Sequence, residues 1–208
     1  MTRDRRILLI VCALAAAVLG AWWASRLRAP AGRGIALAQG TLLVPARSIG
    51  ALDLVDQYGQ RFTEARLAGR WSVVYFGFTT CPMICPTTMA VLRDFAGRVR
   101  GLPPKSRPQV ILITVDPAHD TPQVLGRYVA AFDPGFLGLS GTSAALDAAA
   151  DKFSVARGPA ASGGSIDHSA TLFIVDPGAA VRAIFTPPHS AAALAEDYRR
   201  LAGRAVGG

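Results

Sequence analysis

Cysteine is scarce in this chain, with three residues among 208. Cys12 lies inside an uncharged apolar run and is expected to be inert, so Cys81 and Cys85 are the only thiols in the remainder of the sequence. A plain structural disulfide between these two is one alternative in an exported domain. Closing so short a loop removes little chain entropy, however, and therefore stabilises the fold little.

The chain also lacks the signs of nucleic-acid binding, although its formal net charge is +8. Residues 1–38 hold six Arg and one Asp, so only +3 belongs to the rest of the sequence. That rest contains no run of Lys and Arg and no alternation of basic with aromatic residues. We therefore expect no nucleic-acid partner. The length that remains after the N-terminal segment, roughly 160 to 170 residues, suits one compact domain.

One uncharged stretch stands out near the N-terminus, at residues 7–24. It is just long enough to span a bilayer, and Trp22 and Trp23 lie where an interfacial aromatic anchor is expected. The flanking arginines nearly balance, so the charge pattern does not set the orientation of the span. We predict four segments: a cytoplasmic N-terminus at 1–6, a transmembrane anchor at 7–24, a tether at 25–48 and a folded domain at 49–208.

A cleaved signal peptide is the alternative interpretation of the same stretch. Residues 36–38, Ala-Leu-Ala, are similar to a cleavage site. They lie far beyond the end of the apolar run, which is unusual for a signal peptide. We therefore favour an uncleaved anchor.

Beyond the tether, strand-like and helix-like patterns follow one another without internal repeats. The patterns predict, in order, a hairpin at 52–62, a buried strand at 71–78, a helix at 86–99, a buried strand at 109–115, a helix starting at Pro122 with Thr121 as its N-cap, a short helix at 142–150, two hairpin strands at 170–175 and 181–185, and a closing helix at 190–203. The cysteine pair follows a central strand, at the edge where open α/β sheets place their ligands. The predicted fold class is α/β, a thioredoxin-like fold with an N-terminal hairpin, preceded by one transmembrane helix.

Cys81 and Cys85 are four positions apart, in the segment CPMICP at residues 81–86. Four residues make about one helical turn, so both sulfurs can lie on one face of a helix N-terminus. That end of a helix favours negative charge and therefore lowers thiol pKa values. Thiolates serve both disulfide exchange and the binding of soft metals, so the pair by itself leaves both functions open.

Three stretches together resemble the SCO/SenC family, which are membrane-anchored copper proteins that assist the assembly of cytochrome c oxidase. The stretches are CPMICP at 81–86, TVDPAHDTP at 114–122 and DHSAT at 167–171. The resemblance runs from about residue 50 to the C-terminus. It implies that Cys81, Cys85 and His168 bind one copper per domain, as Cu(I) or Cu(II). Two thiolates and one imidazole are ligands that suit copper independently of the resemblance.

The resemblance also implies partners and a location. The partners would be cytochrome c oxidase subunit II, a copper donor protein, and the membrane through the N-terminal helix. The protein would be a single-pass protein of the inner membrane whose domain faces the periplasm. Its task would be copper delivery to the oxidase. The alternative is a thiol–disulfide oxidoreductase that keeps the oxidase copper-site cysteines reduced, with Cys81 and Cys85 as its redox disulfide.

Several residues near the motifs have more than one interpretation. Met83 stands where the family usually has an acidic or polar residue, and Thr80 stands where it usually has His. We expect Met83 to be a gap-filling apolar side chain rather than an auxiliary ligand. Asp116 and Asp167 either orient the copper site from outside its ligands or hold local turns. His168 without the cysteines would be read as an ordinary loop histidine.

Two rival enzyme classes share the predicted fold. Oxidoreductases of this fold usually have two residues between their cysteines and a proline before the strand that faces them. Here three residues intervene, and Ala170 occupies the proline position, which favours metal binding. A peroxidase would need a positive group beside one cysteine, and Cys81 has no neighbouring Arg in sequence. We therefore expect a metal carrier, with thiol reductase activity as the alternative.

Overall fold

The computed structural model describes residues 13–16, 18–20, 36–155 and 170–205. Residues 13–16 and 18–20 are helical. None of the helices in these described ranges is long and apolar enough to cross a membrane. The predicted segment 1–6 and most of the predicted anchor at 7–24 lie outside the described residues, so the anchor stays a prediction.

The described domain contains eight strands and four α-helices. In chain order they are β1 (Thr41–Ser48), β2 (Leu54–Asp56), β3 (Arg61–Phe62), β4 (Ser72–Gly77), α1 (Ile84–Val99), β5 (Gln109–Thr114), α2 (Pro122–Ala130), β6 (Leu137–Ser140), α3 (Ser143–Phe153), β7 (Leu172–Val175), β8 (Ala180–Phe185) and α4 (Ala191–Ala205). The strands form one sheet in the order β1-β8-β7-β4-β5-β6-β2-β3. The central strand β4 is parallel to β5 and antiparallel to β7. This is the mixed α/β, thioredoxin-like fold that the sequence predicts, with the β2–β3 hairpin at one edge.

Strand β4 is buried along its whole length because both faces of the sheet are covered. On one face the ring of Phe76 packs edge-on against Phe153 of α3 and Phe173 of β7, with ring centroids 5.3 and 6.2 Å apart. Such aromatic pairs add about 1 kcal/mol each beyond the area that they bury. A strand buried on both faces is expected to be apolar throughout, and the sequence of β4 fits this pattern.

Helices α1 and α4 cover the other face of β4. Their contact is organised around Tyr198 of α4, whose ring packs edge-on against Trp71 and against Phe95 of α1 at 5.7 and 5.5 Å. Successive side chains of a strand point to opposite faces, so Tyr75 and Gly77 face the side opposite to Phe76. The start of α1 therefore lies close to the end of β4.

Helix α1 begins at Ile84, two residues before the start predicted at 86. Pro86 is consequently its third residue, where a missing N–H costs nothing because the first four N–H groups of a helix have no partner within it. The start of α2 matches the prediction: Thr121 is the N-cap, its hydroxyl accepts from the Val124 N–H at 3.3 Å, and Pro122 is the first residue.

The predicted tether at 25–48 includes residues that belong to the sheet. Strand β1 occupies 41–48 and pairs antiparallel with β8, with a register shift between Leu42 and Arg47. The strand is difficult to predict because it lies at the sheet edge, carries Pro45 and is mostly half-exposed, so it has no clear alternation. A proline is tolerated on such an edge strand. The first part of the tether, 25–35, lies outside the described residues.

The buried carboxylate of Asp197, on α4, fastens the chain that leads into β1. It accepts hydrogen bonds from the backbone N–H groups of Ala38, Gln39 and Gly40 at 2.6, 2.9 and 3.1 Å. The Asp197 side chain is fully buried, with an Arg200 nitrogen 3.5 Å away. Asp197 therefore joins the segment before β1 to a helix that lies 157 to 159 residues later in the sequence.

We expect the substitution Asp197→Ala to lower the free energy of unfolding by about 3 kcal/mol, because hydrogen bonds to charged groups contribute more than neutral ones. Urea unfolding followed by circular dichroism measures the change. Asp94→Ala is the matched control, since Asp94 forms only an exposed pair with Arg93 and should cost less than about 1 kcal/mol. Equal losses in the two variants would contradict the assignment.

Candidate metal centre

The two cysteines lie where β4 passes into α1. Cys81 is in the connecting loop and Cys85 is the second residue of the helix. Both are buried, Cys81 to 6% and Cys85 to 0% exposure. The Cys85 backbone N–H donates to the Cys81 sulfur at 3.4 Å, and the backbones of Met83 and Ile84 also hydrogen-bond to this sulfur. The start of the helix thus presents several N–H groups to one thiol, an arrangement that favours its anion.

The pKa values of the two thiols are shifted in opposite directions. Burial alone would raise the pKa of Cys81, but hydrogen bonds from the Cys85 backbone, the Cys85 thiol and the amides of Met83 and Ile84 outweigh it and lower the pKa below its usual value. Burial raises the pKa of Cys85 to about 11, and the adjacent Cys81 adds to the increase. Cys81 is therefore the thiol that ionises first, and Cys85 is its hydrogen-bond donor.

Tyr75 reaches the pair from the central strand. Its hydroxyl donates to the Cys85 sulfur at 3.1 Å, and both side chains are fully buried. Gly77, two residues later, leaves the space for this contact: a Cβ atom there would lie 3.0 Å from the Cys85 sulfur and 2.8 Å from the Tyr75 ring. Sequence reasoning missed both residues. The signal that would have found them is the two-residue period of a strand that ends beside the thiols.

Asp120 holds the loop that carries Cys81. Its fully buried carboxylate accepts from the Thr79 backbone N–H at 3.1 Å, from the Thr79 hydroxyl, and from the Thr114 hydroxyl at 2.5 Å. Thr121 caps the following helix, and Asp120 joins the end of β5 to the loop before Cys81.

Asp116 lies on the same turn as Asp120 but nearer to solvent. Its Oδ2 atom is 2.8 Å from Nδ1 of His119, and about a quarter of its side chain is exposed. Its backbone N–H donates to the Thr114 hydroxyl at 2.9 Å. The role of orienting the copper site, which the sequence suggested for Asp116, stays a prediction.

His168 and Asp167 lie outside the described residues, so their predicted roles stay predictions. The described chain resumes at Ala170, which is buried and has φ +47°, a left-handed conformation that is uncommon for a residue other than glycine. The Ala170 carbonyl accepts from Nε2 of His189 at 2.6 Å. Because Leu172 pairs with Tyr75 in antiparallel register, Ala170 lies toward the end of the sheet at which β4 passes into the thiol loop.

Tyr128 places a further hydroxyl near the thiols. This oxygen is buried, and it has no hydrogen-bond partner among the residues that the structure describes. Burial raises the pKa of Tyr128, and negative charge on Cys85, Cys81 and Asp120 raises it further, so the phenol lies within electrostatic reach of all three. A buried hydroxyl normally has a hydrogen-bond partner. The Tyr128 hydroxyl can therefore hydrogen-bond to a polar group that enters the space beside the thiols.

Met83 differs from its predicted role. The sequence suggested a gap-filling apolar side chain, but Met83 is 75% exposed beside the thiols, and the neighbouring Ile84 is 36% exposed. That prediction is wrong because Met83 is the N-cap of α1, where the chain turns outward from the sheet. Met83 provides no side-chain cap for the helix, although Ser, Thr, Asp and Asn are the residues favoured there.

The described residues supply part of a metal site. No group of three or more His, Cys, Asp and Glu side chains that could hold a metal ion occurs within the described ranges. They provide two adjacent sulfurs, Cys81 and Cys85, and the pKa of Cys81 is lowered by hydrogen bonds that favour its thiolate. The third predicted ligand belongs to the segment that precedes Ala170.

Comparison with known proteins extends these observations. The model of the SCO1/SenC family matches residues 43–203. A protein of Stutzerimonas stutzeri that is assigned to copper binding is 40% identical over 153 residues, which are 71% of this chain and 74% of that protein.

Two solved structures are similar to the chain. The solution structure of apo Sco1 from Thermus thermophilus has a TM-score of 0.67 and 32% identity, and covers 82% of this chain and 99% of its own. The crystal structure of Arabidopsis thaliana ScoI with copper bound has a TM-score of 0.66 and 28% identity, and covers 73% of this chain and 96% of its own.

The opposite pKa shifts predict different alkylation rates for the two thiols. Because the thiolate is the reacting form, Cys81 in a Cys85→Ser variant should react with iodoacetamide at pH 7 at least about tenfold faster than Cys85 in a Cys81→Ser variant. The rate should level off at a lower pH for Cys81 than for Cys85, whose rate should keep rising toward pH 11. Peptide mass spectrometry separates both sites from Cys12. A faster reaction at Cys85 would refute the assignment.

Proposed function

Because the chain belongs to the SCO1/SenC family, we propose that it is a copper carrier that assists copper-centre assembly in cytochrome c oxidase. It binds one copper ion, as Cu(I) or Cu(II), through Cys81, Cys85 and His168. The observation that carries the proposal is the pair of adjacent buried sulfurs at the start of α1, where backbone N–H groups lower the pKa of Cys81 and so favour its thiolate. A pair built only as a structural bridge has no need of a stabilised thiolate.

The residues present fit copper as cargo. Two thiolates are soft ligands that favour Cu(I), and an added imidazole suits Cu(II). The Tyr128 hydroxyl, which has no hydrogen-bond partner among the described residues, offers one polar contact near the thiols. Asp120 accepts hydrogen bonds from Thr79 and Thr114, so the loop that carries Cys81 is fastened to the end of β5 before any ion binds.

Exchange with partner proteins is expected on the Cys81 side of the pair. Cys85 lies under the helix and is fully buried, whereas Cys81 is slightly exposed, and Met83 is largely exposed beside it. A copper donor protein delivers cargo on this side, and cytochrome c oxidase subunit II receives it there. Exposed apolar side chains such as Met83 suit a transient protein contact, because they form few specific polar bonds that must later be broken.

The location that we propose follows from the N-terminal sequence and the family resemblance. Residues 7–24 anchor the protein in the inner membrane as a single span, residues 1–6 lie in the cytoplasm, and the domain faces the periplasm. The uncharged span and the Trp22–Trp23 pair support the anchor. The side on which the domain lies is taken from the resemblance.

Thiol–disulfide exchange is the second candidate function, and the unequal thiols favour it. The Cys81 thiolate attacks one sulfur of a disulfide in the oxidase copper site, and a partner thiolate leaves. Cys85 then loses its proton and attacks the mixed disulfide at Cys81, which releases the partner fully reduced and leaves a Cys81–Cys85 disulfide. Ala170, in place of a substrate-docking proline, makes the domain a poor general reductase.

We expect the full chain to bind one copper per molecule, with a sulfur-to-Cu(II) charge-transfer band in the visible range. Replacing either Cys81 or Cys85 by Ser should abolish the band, whereas His168→Ala should weaken Cu(II) binding more than Cu(I) binding, because two thiolates can still hold Cu(I). Chelator competition and absorption spectroscopy measure both effects.

The control for this experiment is His119→Ala, which removes an exposed histidine that contacts Asp116 and should leave binding unchanged. Unaltered copper binding in a double variant with Ser at 81 and 85 would falsify the ligand set. Rapid insulin reduction with negligible copper affinity would instead favour the oxidoreductase.

The membrane arrangement is tested with reporters fused to the C-terminus. Alkaline phosphatase, which is active only outside the cytoplasm, should be active, and green fluorescent protein exported through the same route should be dark. A mature chain that begins near Gln39 would show that residues 7–24 are a cleaved signal. A C-terminal reporter that is active only in the cytoplasm would refute the proposed orientation.

A further inference from the structure

A buried hydrogen-bond chain runs from the central strand to the thiols. The Tyr75 hydroxyl, which lies beside the Thr88 side chain, donates to the Cys85 sulfur at 3.1 Å. The Cys85 thiol and backbone N–H in turn donate to the Cys81 sulfur. Thr88, Tyr75 and Cys85 have 2%, 0% and 0% exposure, so water does not compete for these bonds.

The direction of the chain is fixed by its chemistry. Burial raises the pKa of Tyr75, and the neighbouring Cys85 raises it further, so the phenol keeps its proton and is a donor at all physiological pH values. The phenol O–H is directed at the Cys85 sulfur. Sulfur is a weak acceptor as a thiol and a stronger one as a thiolate, because acceptor strength follows negative charge.

Packing alone does not explain a tyrosine at this position. A phenylalanine would bury the same ring in the middle of β4 without a polar atom to satisfy, and a buried hydroxyl costs free energy unless it is bonded. The acceptor that the Tyr75 hydroxyl uses is the Cys85 sulfur, at 3.1 Å. The approach also depends on Gly77, whose missing side chain leaves room for both groups.

We propose that Tyr75 is a positioning residue whose hydroxyl favours the electron-rich forms of the Cys85 sulfur, namely the reduced dithiol over the Cys81–Cys85 disulfide and bound Cu(I) over bound Cu(II). The second half of this proposal rests on the proposed copper function, and the first half does not.

The physical basis is that a hydrogen bond is strongest where its acceptor carries most charge. A disulfide sulfur is a poorer acceptor than the Cys85 sulfur of the reduced pair, whose S–H is polarised toward the Cys81 sulfur. Oxidation of the pair removes two electrons and the remaining thiol protons, and it therefore weakens the bond from Tyr75. Sulfur bound to Cu(II) gives electron density to the metal and holds less charge than sulfur bound to Cu(I). Hydrogen bonding around a ligand sulfur is a recognised control of copper redox potential. Tyr75 therefore stabilises the reduced member of both couples.

The test is Tyr75→Phe in the full chain, with the Cys81–Cys85 couple equilibrated in mixtures of reduced and oxidised dithiothreitol and read by mass spectrometry. The variant should be oxidised more easily, with an equilibrium constant changed by about tenfold, or about 30 mV for a two-electron couple. In the copper-loaded chain the ratio of Cu(I) to Cu(II) affinity should fall by about tenfold, or about 59 mV. The charge-transfer band should move to longer wavelength, because the sulfur orbitals rise in energy.

Tyr198→Phe is the matched control. Tyr198 is also fully buried, and its hydroxyl donates to the Ser106 carbonyl at 2.6 Å, on the far side of its ring cluster from the thiols. This variant should lose stability in the same way as any buried hydroxyl deletion but leave both redox equilibria unchanged. Thr88→Val should shift them in the direction of Tyr75→Phe by a smaller amount, and it serves as the second variant should Tyr75→Phe fold poorly.

The outcomes separate this proposal from the function on which half of it rests. If the wild-type chain binds no copper, the proposed copper-carrier function is wrong. The dithiothreitol equilibrium, which does not involve copper, then tests the role of Tyr75 by itself. Shifts in Tyr75→Phe no larger than those in Tyr198→Phe, or shifts toward the reduced forms, would overturn the role of Tyr75 even if copper binds as expected.

Discussion

The hydrogen bond from the start of α1 to the Cys81 sulfur is the contact on which the rest of the site depends. It requires the helix to begin at Ile84 rather than later, so that the Cys85 N–H is an end group with no partner within the helix. Those free N–H groups are the positive end of the helix dipole. The same geometry places Cys85 beneath the helix, where burial keeps its proton in place. The same helix start therefore lowers the pKa of one cysteine, Cys81, while burial raises the pKa of the other, Cys85.

The sheet supplies the fixed surface against which this helix start is held. Strand β4 is covered on both faces. Tyr75 and Gly77, near its C-terminal end, lie directly against Cys85. On the opposite face, the ring of Phe76 packs edge-on against Phe153 and Phe173. A strand enclosed in this way has little freedom to shift, because protein interiors are close-packed and resist displacement. The function that we propose depends on such rigidity, since a soft ion is held by the spacing of its ligands.

Sequence patterns predicted the order of the elements because buried strands and amphipathic helices leave strong periodic signals. They predicted the thiol pair and the helix cap at Thr121 for the same reason: both depend on residues that are neighbours in the chain. They failed at β1, where an edge strand with a proline has no regular alternation, and at Met83, whose exposure depends on which way the chain turns. Tyr75 and Asp120 were missed as site residues because their partners lie 10 and 41 residues away, and pairing at that distance is set only by the folded sheet.

The buried carboxylate of Asp120 limits the substitutions that this chain can accept during evolution. It joins Thr79, beside the first cysteine, to Thr114, at the end of the next strand, and all the bonds that it accepts are buried or nearly so. An aliphatic side chain at either threonine would remove one hydroxyl donor from a buried carboxylate, at a cost of about 1–3 kcal/mol. Thr79, Thr114 and Asp120 are therefore coupled, although a whole helix separates the two motifs in sequence. A substitution that removes either hydroxyl is tolerated more easily when Asp120 changes with it, so we expect these three positions to vary together rather than singly.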